Sequence, residues 1–166
     1  MKIAICDDDN SFLQNVKFLI NKIYSNPDKL SIYEYESGEQ FLLQFKPQFF
    51  DVIILDIEMC GITGLEVAEE IRKIDKSVIL AFLTSHQEFA TLGYEVNAFR
   101  YILKNQPEHM FINQLKSIFD EYHQSHITFP VQASNEIVNI LVSDILYFEI
   151  FKRTVVLHTI NIVDSH

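Results

Sequence analysis

Two cysteines, four glycines and four prolines are all that this 166-residue chain carries of the residues that cross-link or punctuate a fold. Cys6 and Cys60 show no C-x-x-C spacing and are too few for a disulfide framework, so they point to free thiols in a reducing, cytoplasmic setting. Scarce glycine and proline beside 48% hydrophobic residues exclude a low-complexity chain and leave enough apolar surface for a real core. Basic residues are also short: 13 Lys+Arg stand against 23 Asp+Glu, and the formal charge of −10 repels phosphate backbones and anionic lipid. No stretch approaches the roughly 20 apolar residues of a membrane span, and "MKIAICDDD" meets acids too early for a signal peptide. The expectation is a folded cytoplasmic protein without a membrane partner, sized for one domain or for one domain plus part of another.

What is present is alternation. "KIAIC" (2–6) is a short apolar run, and residues 10–24 follow with Phe12, Val16, Leu19, Ile20 and Ile23 on one helical face. "LSIYEYE" (30–36) alternates like a strand, and "SGEQ" (37–40) has the form of a capping box opening a helix with Phe41, Leu42 and Phe45 inward. "DVIILD" (51–56) reads as a strand covered on both faces, with a helix over 64–73 after it. "SVILAFLT" (77–84), a short helix in "HQEFATLGYE", "AFRYILK" (98–104) and a helix after Pro107 complete the series. Such strict alternation predicts an α/β fold with a five-stranded parallel sheet and helices on both faces.

In such sheets the functional crevice lies at the carboxyl ends of the strands. The residues there are Asp7, Asp8 and Asp9, then Asp56, then Thr84 and Ser85, then Lys104. Asp56 alone would pass for a turn residue and Asp9 for a helix cap, but no local pattern requires the whole set. Clustered carboxylates repel one another unless a hard divalent cation, Mg²⁺ above all, joins them. A carboxylate can attack phosphorus to give an acyl phosphate while a metal, an ammonium and a hydroxyl neutralise the equatorial oxygens. Arg72 and Lys73 read as a solvated helix end suited to the dipole.

Across residues 1 to about 124 this arrangement resembles the flavodoxin-like receiver domain of two-component response regulators, in order, spacing and strand context. The resemblance implies that Asp56 is the phosphoacceptor and that Asp7 and Asp8 are the acid pair. Asp8 would ligate Mg²⁺ directly, with Asp56 and the backbone carbonyl of Glu58. It further implies that Thr84 reorients toward the phosphoryl group, that Lys104 pairs with it, and that Tyr101 is the aromatic residue whose rotamer follows activation. One departure is that Asn105, not proline, follows Lys104. The implied partner is a sensor histidine kinase, and the implied catalysis acts only on the chain's own Asp56. "ICDDDNS" also resembles the start of haloacid dehalogenase-like phosphatases, where Asp7 would be the nucleophile, Asp9 the general acid, Thr84 or Ser85 the phosphate-binding hydroxyl and Lys104 the lysine. A third reading is a receiver-fold binding module that never takes phosphate.

From residue 125 the texture changes to strands alone: "HITFPVQA", "EIVNILV", "ILYFEIF" and "RTVVLHTI". Residues 142–159 resemble the first part of a LytTR-type DNA-binding domain, which implies a partial, short all-β module over 125–166 after a receiver over 1–124. Two basic residues against four acidic ones in this stretch give little basis for gripping DNA. The expectation is therefore transcriptional control through an effector that is truncated here, with a homodimer formed through the unpaired strand edges of residues 127–160.

Overall fold

The structure, a computed structural model, describes residues 1–24, 26–86, 96–133, 136–152 and 154–160. Apart from His86, the short helix expected in "HQEFATLGYE" lies outside the described residues. The chain divides into two compact units, Met1–Asp120 and Glu121–His166.

In the first unit, strands β1 (Lys2–Cys6), β2 (Ser31–Tyr35), β3 (Val52–Asp56), β4 (Ile79–Thr84) and β5 (Arg100–Leu103) form one sheet in the order β2-β1-β3-β4-β5. All four pairings are parallel. Among the described residues, helices α1 (Asn10–Ile23), α2 (Gly38–Gln44) and α3 (Gly64–Ile74) supply the crossovers from β1 to β4, and α4 (Glu108–Ser125) follows β5. The sequence boundaries hold to within one or two residues, the normal fraying range.

Strand periodicity divides the core. Ile3, Ile5, Val52 and Ile54 face one side of the sheet, where Leu13, Val16, Leu19 and Ile20 of α1 meet Phe111, Leu115, Ile118 and Phe119 of α4. Their neighbours Ala4, Cys6, Ile53 and Leu55 face the other, against Phe41 of α2 and Val67, Ala68 and Ile71 of α3. All five residues of β3 are buried, as its continuous apolar run required.

Local chemistry starts the helices. The Asp9 carboxylate caps α1 by accepting from the Ser11 and Phe12 amides, and the Ser37 hydroxyl accepts from the Gln40 amide. The box expected at 37–40 closes only on that side, because Gln40 Oε1 accepts from the Glu36 amide instead. The complete capping box belongs to Thr63 and Glu66 at the start of α3.

Arg72 departs from its sequence reading. Lys73 is the solvated partner of Glu70, but the Arg72 guanidinium turns inward and donates to the carbonyls of Val96 (2.8 Å), Val78 (2.9 Å), Asn97 (3.2 Å) and Asp75 (3.3 Å). It thereby ties the residues before β5 to the ends of α3 and the approach to β4.

In the second unit, β6 (Thr128–Ala133) pairs antiparallel with β7 (Glu136–Leu141), and β8 (Ile145–Phe151) with β9 (Thr154–Thr159). Phe129 and Phe148 meet edge to face at 5.9 Å. Most apolar side chains of β8 and β9 remain exposed, Ile150 by 77%.

No helix among the described residues is long and apolar enough to cross a membrane. Arg72→Met should leave the four carbonyls without their charged donor and destabilise the first unit by about 2 kcal/mol. Urea unfolding of the variant checks this, and a change within error of zero would contradict the bracket described above.

Candidate functional site

The strand order reverses direction between β1 and β3, the switch point at which doubly wound sheets open a crevice. Cys6 pairs with Leu55, so Asp7 and Asp56, each one residue further, stand level on adjacent strands. Asp56 lies opposite Leu83 of β4, one residue short of Thr84. Thr84 in turn pairs with Leu103, and its carbonyl accepts from the Lys104 amide at 2.8 Å. Register thus gathers four strand ends that sequence order alone scatters over about a hundred positions.

At the centre lies the Lys104 ammonium, 2.8 Å from Asp56 Oδ2 and 2.6 Å from Asp7 Oδ2, with the Phe12 ring 4.6 Å away. Asp7, Asp56 and Thr84 are buried, and Asp7 is wholly inaccessible. Asp8 completes an acid triad in which one carboxylate oxygen from each residue lies within 4.8 Å of the other two. Each acid is also oriented by main chain. Asp7 Oδ1 accepts from the Asp9 amide at 3.0 Å, Asp56 Oδ1 from the Glu58 amide at 3.4 Å, and Asp8 Oδ2 from the Cys60 amide at 2.9 Å.

Three carboxylates share one ammonium, and their affinities for protons record the imbalance. Burial pushes the Asp56 pKa up to about 6; the Lys104 hydrogen bond offsets part of that rise and the Asp7 charge adds to it. Burial likewise raises Asp7, against the pull of Lys104. Exposed Asp8 is held below the usual carboxylate range by the Cys60 amide. Burial alone would lower Lys104, but Asp56 and Asp7 outweigh it and hold the ammonium charged.

Asp7 Oδ2 is buried, and its partner among the described residues is the Lys104 ammonium, which Asp56 shares. An all-oxygen donor set of three carboxylates with surplus negative charge suits a hard divalent cation such as Mg²⁺.

The other expected residues are arranged differently. The Thr84 hydroxyl accepts from the His86 amide at 3.0 Å and is 3.3 Å from its carbonyl. Tyr101 packs its ring 5.0 Å from Phe82 on the α2 and α3 side of the sheet, outside the acid cluster. Its hydroxyl is buried with no partner among the described residues, and burial pushes its pKa up to about 12. Asp9, the general acid of the phosphatase reading, spends its carboxylate on the cap of α1, so that reading is not favoured. After Lys104 the chain turns toward Pro107, whose carbonyl accepts from the Phe111 amide.

Sequence reasoning missed several supports. A Cβ at Gly64 would lie 2.0 Å from the Asp56 carbonyl oxygen, so only glycine lets α3 start this close to the end of β3. The Thr-x-x-Glu signature of α3 was legible at 63–66; the Cys60 amide on Asp8 and the His86–Glu58 contact at 3.3 Å carry no sequence signal.

A family model described as response regulator receiver domain matches residues 3–116. The sensory transduction protein LytR of Staphylococcus epidermidis is 35% identical over 63% of this chain and 40% of its own length. LytR of Staphylococcus saprophyticus is 28% identical over 99% of this chain and 65% of its own length. The chain thus spans between two fifths and two thirds of these relatives. Among solved structures, the response regulator TrrA from Thermotoga maritima in complex with Mg²⁺-BeF is 28% identical, covers 70% of this chain and 97% of its own, and has a TM-score of 0.58.

The raised pKa of Asp56 has a consequence for stability. The native state holds this proton more tightly than the unfolded chain, whose carboxyl keeps the ordinary value of 3.8, so the group's contribution is full below that value and lost as pH rises through about 6. Asp56→Asn, neutral throughout, should exceed the wild type by about 1 kcal/mol at neutral pH without divalent metal, after discounting for solvent screening. Denaturant titrations with EDTA at about pH 7.5 and about pH 4.5 should show that advantage in full at the higher pH and about a third of it at the lower; an advantage independent of pH would contradict the assignment.

Proposed function

The chain belongs to the response regulator receiver family, and from that premise we propose that Asp56 takes a phosphoryl group from the phosphohistidine of a sensor histidine kinase and so switches the domain between two conformations. An Asp56 carboxylate oxygen attacks phosphorus, the P–N bond breaks, and the leaving imidazole takes up a proton. Lys104 neutralises charge on the equatorial oxygens, and the Thr84 hydroxyl leaves His86 to donate to one of them. Asp7, Asp8, Asp56 and the Glu58 carbonyl are the groups that would hold Mg²⁺. When bound, the ion supplies the positive charge that lets an anionic phosphate approach carboxylates. The chain turns over no separate substrate.

The observation that carries this reading is the Lys104 ammonium held between two buried carboxylates beside a third, at the carboxyl ends of the central strands. The Mg²⁺-BeF in the TrrA structure supports the same metal here. The unpartnered hydroxyl of Tyr101 supports a switch role for that side chain, since a buried polar group without a partner favours any state that supplies one.

The boundary between modules is proposed near residue 124, at the end of α4. Residues 125–166 are proposed as part of a LytTR-type effector through which the complete protein reads DNA, on the strength of the LytR relative that matches nearly all of this chain. A cytoplasmic setting follows from those roles. The exposed apolar ribbon of β8 and β9 supports homodimer formation by the 166-residue chain. Sedimentation should show a dimer that Ile150→Lys shifts toward monomer; a monomer at high concentration would contradict it.

The phosphoryl assignment is tested by incubating the chain with Mg²⁺ and acetyl phosphate, then locating the added group by intact and peptide mass spectrometry. Label on Asp56, lost with EDTA and absent from Asp56→Asn, is the expected result. Label on Asp7 would point to the phosphatase chemistry, and no label to a module that never takes phosphate.

A further inference from the structure

The loop between β3 and α3 bears directly on the acid site, because its Cys60 amide donates to Asp8 Oδ2 and its first residues include Glu58. Its ends are tied to the sheet and helix: the Ile57 amide donates to the Leu83 carbonyl, and the Gly64 amide to the Ile57 carbonyl, each at 3.1 Å. Its middle is gripped differently. Gly61 takes a left-handed φ of +88°, and the amides on either side of it are each bound by a carboxylate, Cys60 by Asp8 at 2.9 Å and Ile62 by Glu39 Oε1 at 3.0 Å.

Glu39 comes from α2, on which the loop is closely seated. A Cβ at Gly61 would lie 2.2 Å from Glu39 Oε1, and one at Gly38 would lie 2.7 Å from Ile62 Cγ1. Glycine at both positions lets the α2 end and the loop meet with the Glu39 carboxylate as the joint between them. The grip on Ile62 is two residues from the amide that orients Asp8, with only the conformationally permissive Gly61 between. Without Glu39, the chain could rotate about Gly61 and carry the Cys60 N–H off the Asp8 carboxylate.

The geometry points to Glu39 as a positioning residue for the cation site: it fixes the β3–α3 loop so that the Cys60 amide holds the Asp8 carboxylate in its binding orientation. Outer partners of this kind set metal affinity without touching the metal. The inference rests on the proposed Mg²⁺ role of Asp8. It extends that role to a side chain that sequence reasoning gave no part in the site.

The test is isothermal titration of the full 166-residue chain with Mg²⁺, for the wild type, Glu39→Gln, Glu39→Ala and Gly61→Ala. Glu39→Ala should weaken Mg²⁺ binding at least about threefold. Glu39→Gln, which keeps an acceptor oxygen in place, should stay within about twofold of wild type. Gly61→Ala, whose methyl would displace the Glu39 carboxylate, should also weaken binding, and the double variant Glu39→Ala/Gly61→Ala should lose less than the two single losses combined, because both release one joint. Thermal unfolding in EDTA separates positioning from general damage: the Mg²⁺-induced rise in Tm should shrink in Glu39→Ala while its Tm in EDTA stays near wild type.

Wild-type affinity in Glu39→Ala would overturn the positioning role while leaving the metal site itself intact. Equal weakening in Glu39→Gln would overturn it in favour of a charge effect. Absence of Mg²⁺ binding by the wild type would remove both this inference and the metal set on which it rests.

Discussion

One ammonium between two buried carboxylates organises the first unit. Lys104 reaches the crevice only because β5 lies beside β4, and Asp7 meets Asp56 only because β1 lies beside β3. Buried pairs of this kind are weak sources of stability, since desolvation offsets much of the attraction. Here a third acid adjoins the pair, so one ammonium faces three carboxylates. The fold therefore carries a surplus of negative charge that a bound cation would offset.

The surrounding structure keeps that arrangement in place through main chain more than side chains. Three amides, those of Asp9, Glu58 and Cys60, each donate to one of the three acids. Gly64 brings the start of α3 against the carbonyl of Asp56 itself. The full capping box of Thr63 and Glu66 sets where that helix begins. Small residues and backbone donors thus do the positioning, and the charged side chains supply the chemistry.

Much of this was legible in the sequence for identifiable reasons. β3 could be read because a strand buried on both faces must be apolar throughout, which makes the carboxylate at its end conspicuous. The acids, Thr84 and Lys104 could be read as strand-end residues, but their proximity could not, since strand order and register are tertiary facts. Arg72 was misread because its partners are backbone carbonyls, which every residue has and no sequence pattern marks. Glu39 escaped for the same reason: its partner is the Ile62 amide. The strands of the second unit were visible from β-branched and aromatic content, whereas the exposure of their apolar faces depends on what packs against them.

The bracket of Arg72 and the ion pair of Lys104 lie at opposite ends of the same short strand. Arg72 holds Val96 and Asn97 just ahead of β5, and Lys104 is anchored to Asp56 and Asp7 just after it. β5 is thus a string of four residues clamped at both ends, with Tyr101 in the middle. A clamped string cannot slide along its neighbour; it can only turn its side chains or bow. A change at the acid site that reached this edge through Lys104 would therefore arrive as rotation or bowing of β5, without a shift of its register against β4.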